Sequence, residues 1–135
     1  MNLQGKSILS IDDSLPDQEL ISLAFEKCGW DVPLRAMSAE EGWVKLRENE
    51  SKIKLIILDL NLPRESGLEF LAKIRKSKYK LIPVIILSTS SDENDINASY
   101  DNFANAYIVK PAGFQDFVLS IGRMLSFYLQ TVSLP

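Results

Sequence analysis

Two stretches of this chain are almost pure branched hydrocarbon: IKLIIL at 53–58 and IPVIIL at 82–87. A half-exposed strand would alternate apolar with polar residues, and an amphipathic helix would repeat every 3.6. Neither period is present in these two runs. Near-continuous Ile, Leu and Val suit strands covered on both faces, as in a parallel sheet between two layers of helix. Three more short runs keep the same rhythm: SILSI (7–11), VPLRA (32–36) and AYIV (106–109). VPLRA is the most polar of them, as an edge strand can be. Strand ends recur every ~22 to 29 residues, the interval that repeated βα units need.

The intervening segments carry helix signals. Ser14 with Asp17, and Ser38 with Glu41, match the S-x-x-acid capping pattern, with Pro16 in a first turn and Gly29 as a stop. A third helix is predicted from about Gly67 to Lys76, with Leu68, Leu71 and Ile74 on one side. The fourth follows Ser90 and Glu93, again S-x-x-E. Its polar body leaves Ile96, Tyr100 and Phe103 for burial. The fifth, within GFQDFVLSIGRMLSFYLQ, shows a stripe of Phe114, Phe117, Val118, Ile121, Leu125 and Tyr128. Parallel neighbours require right-handed crossovers, so helices cover both faces. The predicted fold is therefore α/β: a doubly wound, five-stranded parallel sheet in the order 2-1-3-4-5 with five helices. One domain is expected over 1–135, ending in a short tail at 127–135.

Composition narrows the chemistry. With 46% hydrophobic and 24% charged residues the chain is globular in type. A net charge of −3 argues against a protein built to grip nucleic acid. No apolar run approaches the ~18 residues of a membrane span, and the N-terminus does not read as a secretory signal. There is one cysteine, Cys28, so no internal disulfide can form, and a reducing cytoplasm is the expected home. There is no histidine, which removes His-based nucleophilic pairs and the commonest zinc ligand. Carboxylates, hydroxyls, lysine and backbone remain.

In a sheet of this order, ligands sit outside the carboxyl ends of the strands, at the switch point between strands 1 and 3. The residues that fall there are Asp12 and Asp13 after strand 1, Asp59 after strand 3, Ser88 after strand 4, and Lys110, followed by Pro111, after strand 5. Three carboxylates in one crevice repel one another. A hard divalent cation resolves the repulsion, and oxygen-only ligands point to Mg²⁺. An aspartate nucleophile can carry a phosphoryl group, with Lys110 and Ser88 available to its oxygens.

The set IDD, LDLNLP-x-x-SG, PVIILS and AYIVKP resembles the receiver domain of two-component response regulators, over essentially the whole chain and with every motif in order. The resemblance implies a flavodoxin-like fold and a stand-alone phosphorelay switch that is not a turnover enzyme. It implies Asp59 as phospho-acceptor, Asp13 as a direct Mg²⁺ ligand and Asp12 as one acting mainly through water. Asn61 would complete coordination through its backbone carbonyl. Ser88 would be the switch hydroxyl, Lys110 the phosphate-facing lysine with a cis peptide before Pro111, and Tyr107 the aromatic that turns inward on switching. LDLNLPRESG, IPVIILSTS and the ending SFYLQTVSLP are further similar to the regulators paired with bacterial phytochrome histidine kinases.

The partners so implied are a sensor histidine kinase, which the narrower resemblance would make one of phytochrome type, and a downstream protein target or phosphotransfer protein. Neither nucleic acid nor membrane is expected to bind. The surface around helix 4, strand 5 and helix 5 would carry the output. The apolar tail FYLQTVSLP would either fold back or, preferably, make a homodimer contact.

Two other readings fit less well. A flavodoxin-like cofactor binder would need a phosphate-cradling first turn, whereas IDDSLPD is acidic. A phosphohydrolase resembling the haloacid dehalogenases would need an aspartate two places after Asp59, where Asn61 stands. Pro63, Gly67, Trp30, Trp43 and Cys28 read as structural, and the basic stretch AKIRKSKYK (72–80) as a solvated helix end.

Overall fold

The structure, a computed structural model, describes residues 8–135; Ser7 of the first predicted strand and the six residues before it lie outside the described residues. Five strands form one parallel sheet: β1 (Ile8–Ile11), β2 (Leu34–Ala36), β3 (Leu55–Leu58), β4 (Val84–Ser88) and β5 (Ala106–Val109). Their order is β2-β1-β3-β4-β5, as the crossover argument requires. The hydrocarbon-rich runs are central. Every residue of β1, β3 and β4 is buried, whereas the edge strands β2 and β5 are partly exposed.

Alternate side chains of the central strands feed two cores. Leu9, Ile11, Ile56, Leu58, Val84 and Ile86 meet α2 (Ala39–Glu48) and α3 (Gly67–Arg75) through Leu46, Phe70, Leu71 and Ile74. Ile8, Leu55, Ile57, Ile85 and Leu87 meet α1 (Leu15–Lys27) and α5 (Phe114–Ser126) through Phe25, Phe117, Ile121 and Leu125. Trp30 and Trp43 pack beside these cores as expected, but Cys28 is exposed because it caps the end of α1.

The caps largely follow the sequence. Ser14, Ser38 and Ser66 each accept an N–H from the first turn of α1, α2 and α3. α1 ends with Gly29 at φ +79, where Trp30 N donates to Phe25 O and Gly29 N to Glu26 O. That is the paired bonding a left-handed terminal residue makes possible.

α4 (Glu93–Asp101) departs from expectation. Its N-cap is Asp92, not Ser90; the Ser90 hydroxyl instead donates to Asp95 Oδ2 at 2.6 Å. Tyr100 and Phe103 are exposed, and Ser99 is the helix's one buried residue. The helix lies beside the edge strand β5, so it has little sheet to cover.

The tail packs, at least in part, against its own domain. Phe127–Thr131 continue α5 as a wider π-turn, and Leu129 is buried in the α1–α5 core, with Tyr128 and Leu134 beside it. Much of the tail's apolar surface is thus covered by its own domain, while Phe127 stays exposed. Among the described residues no helix is long and apolar enough to cross a membrane.

Candidate functional site

The strand ladder itself sets the acidic crevice. Beyond the last paired residues, Asp12 N donates to Ala36 O, Asp59 N to Ile11 O and Lys110 N to Ser88 O, at 3.0, 2.9 and 2.7 Å. Each site residue is therefore one rung past a strand, with its backbone held by the neighbouring strand. Asp12, Asp13, Asp59, Ser88 and Lys110 all lie at the carboxyl edge of the sheet, as predicted.

Asp12 and Asp59 are buried, and Asp13 is exposed at the mouth. One carboxylate oxygen from each lies within 4.8 Å of the others. The Lys110 side chain is only 5% exposed. Its ammonium donates to Asp12 Oδ2 at 2.7 Å, Asp17 Oδ2 at 2.7 Å and Asp59 Oδ2 at 3.3 Å. Asp59 Oδ1 accepts Asn61 N at 3.3 Å, and Asp12 Oδ1 accepts Ser14 N at 2.9 Å.

Burial raises the Asp12 carboxyl to about 6, against the hydrogen bond and charge of Lys110 and the Ser14 amide; the Asp59 charge adds to the rise. Burial alone would lower Lys110. Its hydrogen bonds to Asp12 and Asp17, with the charges of Asp12 and Asp59, outweigh that and hold it above the ordinary lysine range. Clustered carboxylates, one of which burial resists charging, are the setting a further cation relieves. The hard oxygen donors of Asp12, Asp13 and Asp59 suit a divalent ion of the Mg²⁺ kind.

Around this crevice the other predicted residues take definite places. Ser88 is fully buried, and its Oγ accepts Ser90 N at 3.2 Å. Tyr107 is half-buried and donates its phenol proton to Ser90 O at 2.8 Å. Ser90, just outside the crevice, thus touches both residues through its backbone. Asn61 is exposed beside Asp59. The expected cis bond before Pro111 is not found: no peptide bond among the described residues is cis, and trans is the form that X–Pro bonds favour.

Three contributors escaped the sequence reading. The S-x-x-acid pattern marks Asp17 only as a capping residue. Gln18 is fully buried: its Oε1 accepts the Ser10 hydroxyl, and its Nε2 donates to the carbonyls of Ser10, Asp12 and Ala36. It ties α1 to the strand ends that present the acids. Gly67 is a site of close approach, not only a turn. A Cβ there would stand 2.2 Å from Asp59 O and 2.6 Å from Leu60 Cα. The bare backbone lets α3 start flush against the segment that carries Asp59, with Gly67 N donating to Leu60 O. The S-G pair just before a helical run was the available signal for Gly67; nothing local marked Gln18.

A doubly wound sheet with an acidic crevice and a buried lysine at its switch point defines a class of phosphoryl-accepting switches, and residues 8–121 match the family model described as the response regulator receiver domain. The chain belongs to that family, for which phosphorylation on an aspartate with Mg²⁺ is typical and whose members act as phospho-accepting switches, not turnover enzymes. The chain is 36% identical to the response regulator Rcp1 of Synechocystis, over 96% of its own length and 93% of Rcp1. Among solved structures it resembles the phosphorylated cyanobacterial phytochrome response regulator RcpA (TM-score 0.88, 36% identity, covering 95% of this chain and 96% of that one). It also resembles the Mn²⁺-bound form of Rcp1 (TM-score 0.86, 35% identity, covering 95% and 97%).

Proposed function

We propose that Asp59 is the phospho-acceptor of a two-component phosphorelay and that its donor is a sensor histidine kinase of the phytochrome type. The observation that carries the assignment is the placement of Asp59. Its side chain is 7% exposed, faces two further carboxylates and is reached by a buried ammonium. The likeness to Rcp1 and RcpA supports the phytochrome-type donor, and receiver domains as a class pair with histidine kinases.

In the transfer, an Asp59 carboxylate oxygen attacks phosphorus. The new O–P bond forms as the bond from phosphorus to the donor breaks. The leaving nitrogen of a phosphohistidine, or the leaving oxygen of acetyl phosphate, keeps the electron pair. Asp12, Asp13, Asp59 and the Asn61 carbonyl would hold Mg²⁺, which when bound would supply positive charge for the phosphoryl oxygens. Lys110 gives a further point charge, and the Ser88 hydroxyl a hydrogen bond to a phosphoryl oxygen.

Moving the Ser88 hydroxyl toward that oxygen would break its bond with Ser90 N. The Ser90 carbonyl holds Tyr107 and the Ser90 hydroxyl holds the first turn of α4, so both would feel the change. The output is then read on the α4–β5–α5 surface, where Tyr100 and Val109 are exposed. The reader is a protein target, a phosphotransfer protein or a second copy of the chain in a homodimer. The free, exposed Cys28 fits a cytoplasmic setting.

Intact-mass spectrometry after incubation with acetyl phosphate tests the assignment. One added phosphoryl group is expected in the wild type with Mg²⁺, and none without Mg²⁺ or in Asp59→Asn. An adduct that persists in Asp59→Asn would overturn it.

A further inference from the structure

Asp17 stands at the third position of α1, where the acid of a capping box normally reaches back to the N-cap amide. Here that amide, Ser14 N, already donates to Asp12 Oδ1 at 2.9 Å. The Asp17 backbone N–H still donates to Ser14 Oγ, but its carboxylate turns the other way and takes Lys110 Nζ at 2.7 Å. An ammonium has three donors, and Lys110 spends all three on carboxylates. The two short bonds go to Asp12 and Asp17; the one to Asp59 is longer, at 3.3 Å.

Asp17 differs from its neighbours in one respect. Asp12, Asp13 and Asp59 bring oxygens close enough to share a cation, and Asp17 is outside that group. When Asp12 and Asp59 turn to a metal ion, their hold on Lys110 weakens. That of Asp17 does not. It remains the competitor for the lysine when a phosphoryl oxygen arrives, and its side chain, 24% exposed, stays partly solvated.

On the reading of Asp59 as acceptor, we propose that Asp17 is a positioning residue: it retains Lys110 on the α1 side of the crevice and so slows phosphoryl transfer to Asp59. The chain would carry a built-in brake on its own phosphorylation, set by one ion pair. A charge-assisted hydrogen bond with one partly solvated partner can account for about a threefold to tenfold change in rate.

The test is the rate of adduct formation from acetyl phosphate at saturating Mg²⁺, followed by intact mass in four variants beside the wild type. Asp17→Asn should react about threefold to tenfold faster, by the same bond-strength argument. Asp17→Glu should return the rate toward wild type, because it restores a carboxylate. Glu19→Gln and Glu26→Gln each remove one exposed negative charge from the same helix; neither side chain touches Lys110, so both should keep the wild-type rate. Unchanged or slower reaction of Asp17→Asn sinks the brake, as does equal acceleration in either control or failure of Asp17→Glu to restore the rate. A wild type that forms no adduct on Asp59 overturns the parent reading, and the brake with it; a normal wild type with an unresponsive Asp17→Asn overturns the brake alone.

Discussion

Asp12 is 2% exposed, and burial holds its carboxyl near 6 instead of the usual 3.8. The sign of its pH effect follows. Between those two values the folded state binds a proton more readily than the unfolded chain, so metal-free stability falls as pH rises from about 4 through 6 and stays lower above. A metal ligand must be deprotonated, so apparent Mg²⁺ affinity should fall by about tenfold per pH unit below 6. Thermal melts with Mg²⁺ or with chelator, at pH 7.5 and pH 5, check both. The Mg²⁺-induced rise in midpoint should be large at pH 7.5 and small at pH 5; an equal rise at both rejects Asp12 as a ligand. At this scale the sequence was most informative where a residue ends a strand. Asp12, Asp59, Ser88 and Lys110 were placed by topology alone. Asp17 and Gln18 were not, because what they touch is decided by the angle at which α1 leaves the sheet.

Among the elements, α4 is the least committed to the core. Its C-terminal turn is closed by Phe103 N donating to Tyr100 O and Ala104 N to Ser99 O, which puts Phe103 in the left-handed region at φ +64. Glycine is the usual occupant of that position, and a bulky residue there carries strain. The Phe103 ring is 72% exposed and so contributes little burial in return. Arg75 holds the turn in place, donating to the carbonyls of Phe103, Lys80 and Ile82 and to Asn105 Oδ1. The basic stretch read as a solvated helix end thus contains one arginine that clasps three segments. Phe103→Gly should raise stability by roughly 0.5–1 kcal/mol, the relieved strain less the added freedom of the unfolded chain. Urea denaturation measures it, and a lowered midpoint would mean that the ring contributes packing its exposure does not suggest. S-x-x-E predicted the start of α4 two residues early, since Ser90 and Asp92 both offer an oxygen and only Asp92 meets a first-turn amide.

At the scale of the whole molecule, the tail extends the α1–α5 core. Leu129 is 4% exposed within it, so Leu129→Ala should cost about 2–4 kcal/mol. If the seat is intramolecular, the loss should be the same at micromolar and at hundredfold higher protein concentration, read by chemical denaturation; a loss that shrinks at high concentration would place the tail's partner in a second copy. The fold class, the strand order and the positions of Asp12, Asp13 and Asp59 at the sheet's carboxyl edge were all determined by the sequence alone. They depend on hydrophobic period and on the handedness of βα crossovers, which are local rules acting on every unit. Which carboxylate holds Lys110, why Gly67 must lack a side chain and where the tail lies were decided only by the tertiary structure. Each is a contact between separate elements, set by how helices seat on the sheet, and no local pattern encodes that distance.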